Sequence, residues 1–170
     1  YAVMGARVVR WRAVIPLGDG LPGWGVIEGN AQERGRYAAL WQEVGIIPIV
    51  EPEVLMDGDH TLERSREVTE ETLHSVFSHL YSQNVMLEGM ILKPNMVLPG
   101  LSSPVQESVE EVAAATVRCL LRSAPAAVAG IAFWSVGQSA TLPLSRPIEM
   151  HITPQRPSSH LPQRPVTPFA

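Results

Sequence analysis

The chain is poor in cysteine, in basic clusters and in long apolar runs, and each shortage excludes a class of function. A single cysteine, Cys119, allows neither an internal disulfide nor a multi-cysteine metal site. It falls in the apolar pattern of an expected helix, so a buried structural thiol in a reducing, cytoplasmic setting is the reading. No cluster of five or more basic residues occurs, and the formal charge is −4, so no nucleic acid and no anionic membrane surface is expected as a partner. No apolar stretch approaches the roughly 18 residues of a spanning helix, and Tyr1 to Arg12 shows no signal-peptide core. What remains is ordinary for a folded domain: 170 residues with 45% hydrophobic content.

Composition divides the chain near Ser139. Residues 1–139 alternate apolar runs with helical patterns, whereas the chain from Pro143 onward holds seven of the fifteen prolines and no glycine. Residues 140–170 are therefore expected to be a disordered proline-rich tail, too poor in apolar periodicity to offset the entropy of ordering. In the first region Arg7 to Ile15 reads as a strand. Asn30 is placed to cap a helix that runs through Val44 and ends at Gly45. Ile46 to Val50 reads as a second strand ending in Glu51-Pro52-Glu53. After the polar turn Asp57-Gly58-Asp59, a helix of about 20 residues reaches Ser82, with Val68, Leu73, Val76, Phe77 and Leu80 inward and Glu63, Arg64, Glu70 and Glu71 outward. Val85 to Leu92 reads as a third strand, buried on both faces. Ser108 and Glu111 form a capping box for a third helix, and Gly130 to Ser135 reads as a fourth strand. The order β-α-β-α-β-α-β predicts an α/β fold with a parallel sheet.

Lys93 closes the third apolar run and is followed at once by Pro94, which stops ladder pairing, so its ammonium sits at the C-terminal tip of a strand. In a parallel α/β protein that rim is where chemistry is done, and a lysine partly withdrawn from water can attack a carbonyl as the free amine. The segment alone leaves open a second reading, a strand-end lysine whose stem packs while its head stays wet. Alternation puts Ile47, Ile49, Glu51 and Glu53 on one side of their strand, Gly89, Ile91 and Lys93 on one side of theirs, and Val8, Arg10 and Arg12 likewise. If these faces converge, Arg10, Arg12, Glu51 and Lys93 gather beside the loop Ser135-Val136-Gly137-Gln138. That set offers an amine nucleophile, a carboxyl group for proton transfer, cations and an anion-holding backbone. Singly, each is more often a solvated turn or a salt-bridged edge, and it is the joint placement that points to a site.

The residues resemble the class I fructose-bisphosphate aldolases, which are metal-independent and work through a Schiff base. The resemblance is carried by Gly45-Ile46-Ile47-Pro48-Ile49-Val50-Glu51-Pro52-Glu53-Val54-Leu55 with Asp57-Gly58-Asp59-His60, and by Leu87-Glu88-Gly89-Met90-Ile91-Leu92-Lys93-Pro94-Asn95-Met96-Val97. Thr116-Val117 through Gly130, and Ser135 with Gly137-Gln138-Ser139, are similar as well, so the likeness covers about residues 1–139. It implies a partial (β/α)8 barrel of the TIM type, strands four to seven with their helices. It further implies reversible cleavage of fructose 1,6-bisphosphate to dihydroxyacetone phosphate and glyceraldehyde 3-phosphate. Lys93 would form the Schiff base with the ketose and Glu51 would move protons. Glu53 would support the site, Arg12 would bind a substrate phosphate, and Ser135 and Gly137 would belong to a phosphate loop. No metal and no cofactor is implied.

The chain departs from the family pattern in three ways. Arg10 stands where the family has a second catalytic lysine, and Val136 replaces a glycine. The remaining strands of the barrel have no counterpart, which implies weak or absent turnover in the chain as it stands. An incomplete barrel has open edges near Val8 and Phe133 and leaves Trp11, Met90, Ile91 and Phe133 partly uncovered, so self-association or pairing with a complementing barrel fragment is expected. The alternative is a non-catalytic, aldolase-derived piece that acts only as a binding or assembly partner.

Overall fold

The computed structural model describes residues 2–133; Ser135, Gly137 and the proline-rich segment 140–170 lie outside the described residues. Four strands alternate with three helices: β1 Val8–Ile15, α1 Trp24–Glu43, β2 Ile47–Val54, α2 Leu62–Ser82, β3 Ile91–Leu92, α3 Val109–Ser123 and β4 Gly130–Ile131. The sheet order is β1-β2-β3-β4 with every pair parallel, as the alternating pattern predicted. Sequential parallel strands joined by helices place all crossovers on one face, since such connections are right-handed. That face holds the core, where Val50 and Leu92 of the sheet meet Ala31 and Ala38 of α1, Leu73, Val76 and Phe77 of α2, and Cys119 of α3. The opposite face is open, and Val8, Val14 and Ile47 are exposed on it.

The helices differ from expectation mainly at their starts. Gly23, not Asn30, caps α1; Asn30 lies inside the helix and donates to the Val26 carbonyl at 2.8 Å. The glycine-rich stretch that reads as a turn is helical because Ile27 and Ala31 bury against the sheet, which offsets about 1 kcal/mol of propensity lost at each of Gly25 and Gly29. Gly35 has a positive reason to be glycine, since a Cβ there would stand 2.9 Å from the His79 carbonyl oxygen where α1 crosses α2. Helix α2 begins at the cap Thr61, whose hydroxyl accepts from the Arg64 N–H at 3.2 Å, and its five expected inward residues are all buried. Glu70, expected in solvent, is instead buried between Arg66 at 2.6 Å and Arg122 of α3 at 3.5 Å. The capping box of Ser108 and Glu111 is formed.

Three strands end elsewhere than the sequence suggests. β4, expected from Gly130 to Ser135, stops at Ile131, with Ala132 and Phe133 outside it. β2 continues through Glu51-Pro52-Glu53 to Val54. Its odd residues face β1, as the bonds from Ile47 to Arg7 and from Leu55 to Ile15 show, so Pro48 and Pro52 lack an N–H only on the β3 side. That side is short, because Val85 to Leu92 is not one strand. Residues Leu87–Gly89 form a 3-10 turn and only Ile91–Leu92 pair with β2. The cause is Gln42 of α1, whose amide donates to the Met86 carbonyl at 2.8 Å and accepts from the Met86 N–H at 2.9 Å, taking the backbone groups a strand would need. Met90, expected to be uncovered, is fully buried in the core under the helices, while Ile91 and Phe133 are half-buried and Trp11 is exposed against Tyr37, ring centres 5.4 Å apart. Among the described residues no helix is long and apolar enough to cross a membrane.

Candidate active site

The parallel register aligns Arg10 with Ile49, Arg12 with Glu51 and Val14 with Glu53, while Ile49 aligns with Ile91 on the other side. Partners in register point to the same face, so Arg10, Arg12, Glu51, Glu53 and Lys93 all project onto the open side at the C-terminal end of the sheet. The convergence of Arg10, Arg12, Glu51 and Lys93 expected from alternation is therefore present, and the loop Ser135-Val136-Gly137-Gln138 expected beside them lies outside the described residues. Lys93 gains its place from the last backbone rung of β3, where its N–H donates to the Val50 carbonyl at 2.8 Å.

Glu51 is the centre of the cluster and is only 2% exposed, though it lies on the uncovered face. Its Oε1 accepts directly from the Lys93 ammonium, whose side chain is 16% exposed. Its Oε2 faces Arg10 Nε at 3.4 Å and takes no hydrogen bond among the described residues. A buried carboxylate is costly unless cations compensate it, and here Lys93 and Arg10 approach it, while Arg34 adds a buried cation behind the sheet at the Glu51 backbone carbonyl. Glu53 pairs with Arg12 at the more open rim, and the Arg12 guanidinium holds its carboxyl below the usual carboxylate range.

Arg34 was not foreseen. It is almost completely buried on α1, with Nη1 donating to its own helix at the Asn30 carbonyl, 2.6 Å, and Nη2 to the Ala13 carbonyl of β1 at 2.7 Å and the Glu51 carbonyl of β2 at 3.4 Å. Burial lowers its pKa to about 10, against the opposing pull of Glu33 and Glu51. A signal existed in the sequence, since position 34 falls on the stripe of Ile27, Ala31 and Ala38 that faces the sheet. A second signal is compositional: Lys93 is the single lysine of the chain, beside twelve arginines.

An amine in contact with a buried carboxylate, flanked by two arginines, is a set suited to carbonyl condensation with an anionic substrate. No group of three or more His, Cys, Asp and Glu placed to hold a metal occurs among the described residues. A shallow apolar concavity on α3, lined by Ala113, Ala114, Val117, Arg118, Leu121 and Arg122, carries no nucleophile and no carboxylate and is not the site.

Comparison with known proteins shows the family of the chain. The model of the class-I fructose-bisphosphate aldolase family matches residues 1–146. A probable fructose-bisphosphate aldolase class 1 from Xanthomonas campestris is 52% identical over 151 residues, 89% of this chain and 45% of that protein. The fructose-bisphosphate aldolase of Dictyostelium discoideum is 45% identical over 159 residues, 92% of this chain and 44% of that protein. In structure the chain is similar to fructose-bisphosphate aldolase from Plasmodium falciparum, solved in complex with TRAP and a small-molecule inhibitor. The TM-score is 0.77 at 40% identity, covering 78% of this chain and 39% of that one. The chain thus spans a little under half the length of these relatives, and its open sheet with helices on one face is part of a TIM-type barrel. It belongs to the class-I fructose-bisphosphate aldolase family.

Proposed function

We propose that the chain carries the imine-forming half of a fructose 1,6-bisphosphate aldolase site. The observation that supports this reading is the contact between the Lys93 ammonium and the buried Glu51 carboxylate at the C-terminal rim. Glu51 takes a proton from Lys93, and the free amine adds to the C2 carbonyl of the ketose to give a carbinolamine. The protonated Glu51 returns the proton to the carbinolamine hydroxyl, which leaves as water and yields the iminium. The iminium accepts the electron pair of the C3–C4 bond, so that glyceraldehyde 3-phosphate departs and an enamine remains. Protonation at C3 and hydrolysis release dihydroxyacetone phosphate and restore the amine. Removal of the C4 hydroxyl proton is left to a base outside the described residues. Arg12 is the phosphate ligand, Glu53 holds its guanidinium in place, and Arg10 supplies fixed positive charge, since an arginine does not readily give up a proton. Ser135 and Gly137 are assigned to the other phosphate. A cytoplasmic setting goes with this reading.

The test is borohydride reduction in the presence of dihydroxyacetone phosphate. The reading expects a covalent three-carbon phosphate adduct on Lys93, absent in Lys93→Arg; an unmodified Lys93 overturns it. A second reading, a non-catalytic assembly piece, draws support from the exposed Val8, Val14 and Ile47 and from β1, which has no strand beyond it among the described residues. It expects concentration-dependent self-association or pairing with a complementing barrel fragment. A stable monomer that binds no hydrophobic dye in sedimentation and fluorescence measurements removes it.

A further inference from the structure

The seam between β2 and β3 is unusually thin for one that carries the two reacting groups. Only Ile49 with Ile91 and Val50 with Leu92 are in register, and β2 lacks a donor to this seam just beyond, at Pro52. The last backbone rung is the bond from the Lys93 N–H to the Val50 carbonyl, 2.8 Å. Farther along the same edge of β2 the Val54 N–H would be an orphan donor, and Val54 is buried. The Asn95 side chain meets it, with Oδ1 accepting at 3.0 Å. The same amide donates through Nδ2 to the Thr69 hydroxyl of α2 at 3.1 Å and to the Met96 carbonyl at 2.9 Å. Asn95 thus supplies by side chain a rung beyond the gap that Pro52 leaves in the backbone ladder, and it ties that rung to a helix. The two rungs, at Val50 and Val54, bracket Glu51 on β2, and the first of them is made by Lys93 itself.

We infer that Asn95 is a positioning residue, whose amide holds the turn after Lys93 against β2 so that the amine stays on the Glu51 carboxylate. Its chemical consequence rests on the imine reading above, but its structural consequence does not. In Asn95→Ala the Val54 and Lys93 amides should exchange with deuterium about tenfold faster, as expected for loss of one buried rung, while the core amide of Val76 keeps its rate. Asn95→Asp retains an acceptor for Val54 and should return Val54 to near the parent rate. In the borohydride experiment, Asn95→Ala should lower the maximal trapping rate by about tenfold or more and leave the half-saturating dihydroxyacetone phosphate concentration within about threefold, because the loss is of alignment and not of phosphate binding. Asn95→Asp should recover part of that rate.

Unchanged exchange at Val54 and Lys93, or exchange raised equally at Val76, overturns the inference. So does trapping by Asn95→Ala at the parent rate. If the parent chain itself is not labelled, the aldolase reading fails on that result, and the exchange rates alone decide the positioning role of Asn95.

Discussion

Replacing Glu51 by glutamine keeps the shape of the side chain and removes its charge. The carboxylate is 2% exposed, bonds the Lys93 ammonium and faces Arg10 at 3.4 Å. Breaking a fully buried ion pair costs about 3–5 kcal/mol, because the remaining charge is left without compensation. Lys93 retains some contact with water and Arg10 is more than half exposed, so the cost here should be lower, about 2–3 kcal/mol. Glu53→Gln is the internal control. Its partner Arg12 is 50% exposed, and a pair of that kind contributes at most about 1 kcal/mol. With a urea dependence of about 2 kcal/mol per molar, Glu51→Gln should lower the unfolding midpoint by about 1–1.5 M and Glu53→Gln by about 0.5 M or less. Circular dichroism in urea at pH 7 measures both. Equal shifts for the two variants, or none for Glu51→Gln, would refute the view that compensated burial at position 51 organises the rim.

Three other expectations follow from the packing. Gly35→Ala should lower stability by about 1–3 kcal/mol despite the better helix propensity of alanine, because the new methyl meets the His79 carbonyl; thermal unfolding reads this, and a stabilised variant would contradict the close crossing. Cys119 is fully buried, and burial raises its thiol pKa to about 11, so iodoacetamide should leave it unmodified in the native chain and alkylate it in urea; rapid native alkylation would place α3 elsewhere. The Glu28 carboxyl is held below its ordinary value of 4.5 by hydrogen bonds from the Ser75 hydroxyl and then the His79 ring, which link α1 to α2. A depressed acid stabilises fully above that ordinary value and loses the contribution as pH falls through its folded value. The gap in urea midpoint between the parent and Glu28→Gln should therefore be open at pH 7 and close below pH 4.5, and a gap independent of pH would assign it to packing.

Features set by neighbours in sequence were legible before the structure. The inward stripe of α2 and the Ser108–Glu111 box are local patterns, and both are present. The shared face of Arg10, Arg12, Glu51 and Lys93 follows from two-residue alternation once the strands are parallel and in register. The misses are long-range. Nothing near Met86 announces that Gln42, 44 residues away, will take its backbone bonds and shorten β3. Pro52 reads as a strand terminator unless it is known that β3 is too short to need its N–H. Glu70 has the sequence context of a surface acid, and the burial comes from α3, whose Arg122 reaches across to it. Arg34 lies on the sheet-facing stripe of α1, but the partners that make its burial tolerable, the carbonyls of Ala13 and Glu51, are 21 and 17 residues away.

The central claim is that the amine of residue 93, held on the carboxylate of residue 51, condenses with a sugar-phosphate ketone. It is tested most directly by carbon-13 NMR of dihydroxyacetone phosphate labelled at C2 and mixed with an equal amount of the chain. The account predicts a protein-bound imine resonance at C2 that disappears in Lys93→Arg and weakens in Glu51→Gln. A spectrum that shows only free ketone and its hydrate, with the chain folded, would contradict it.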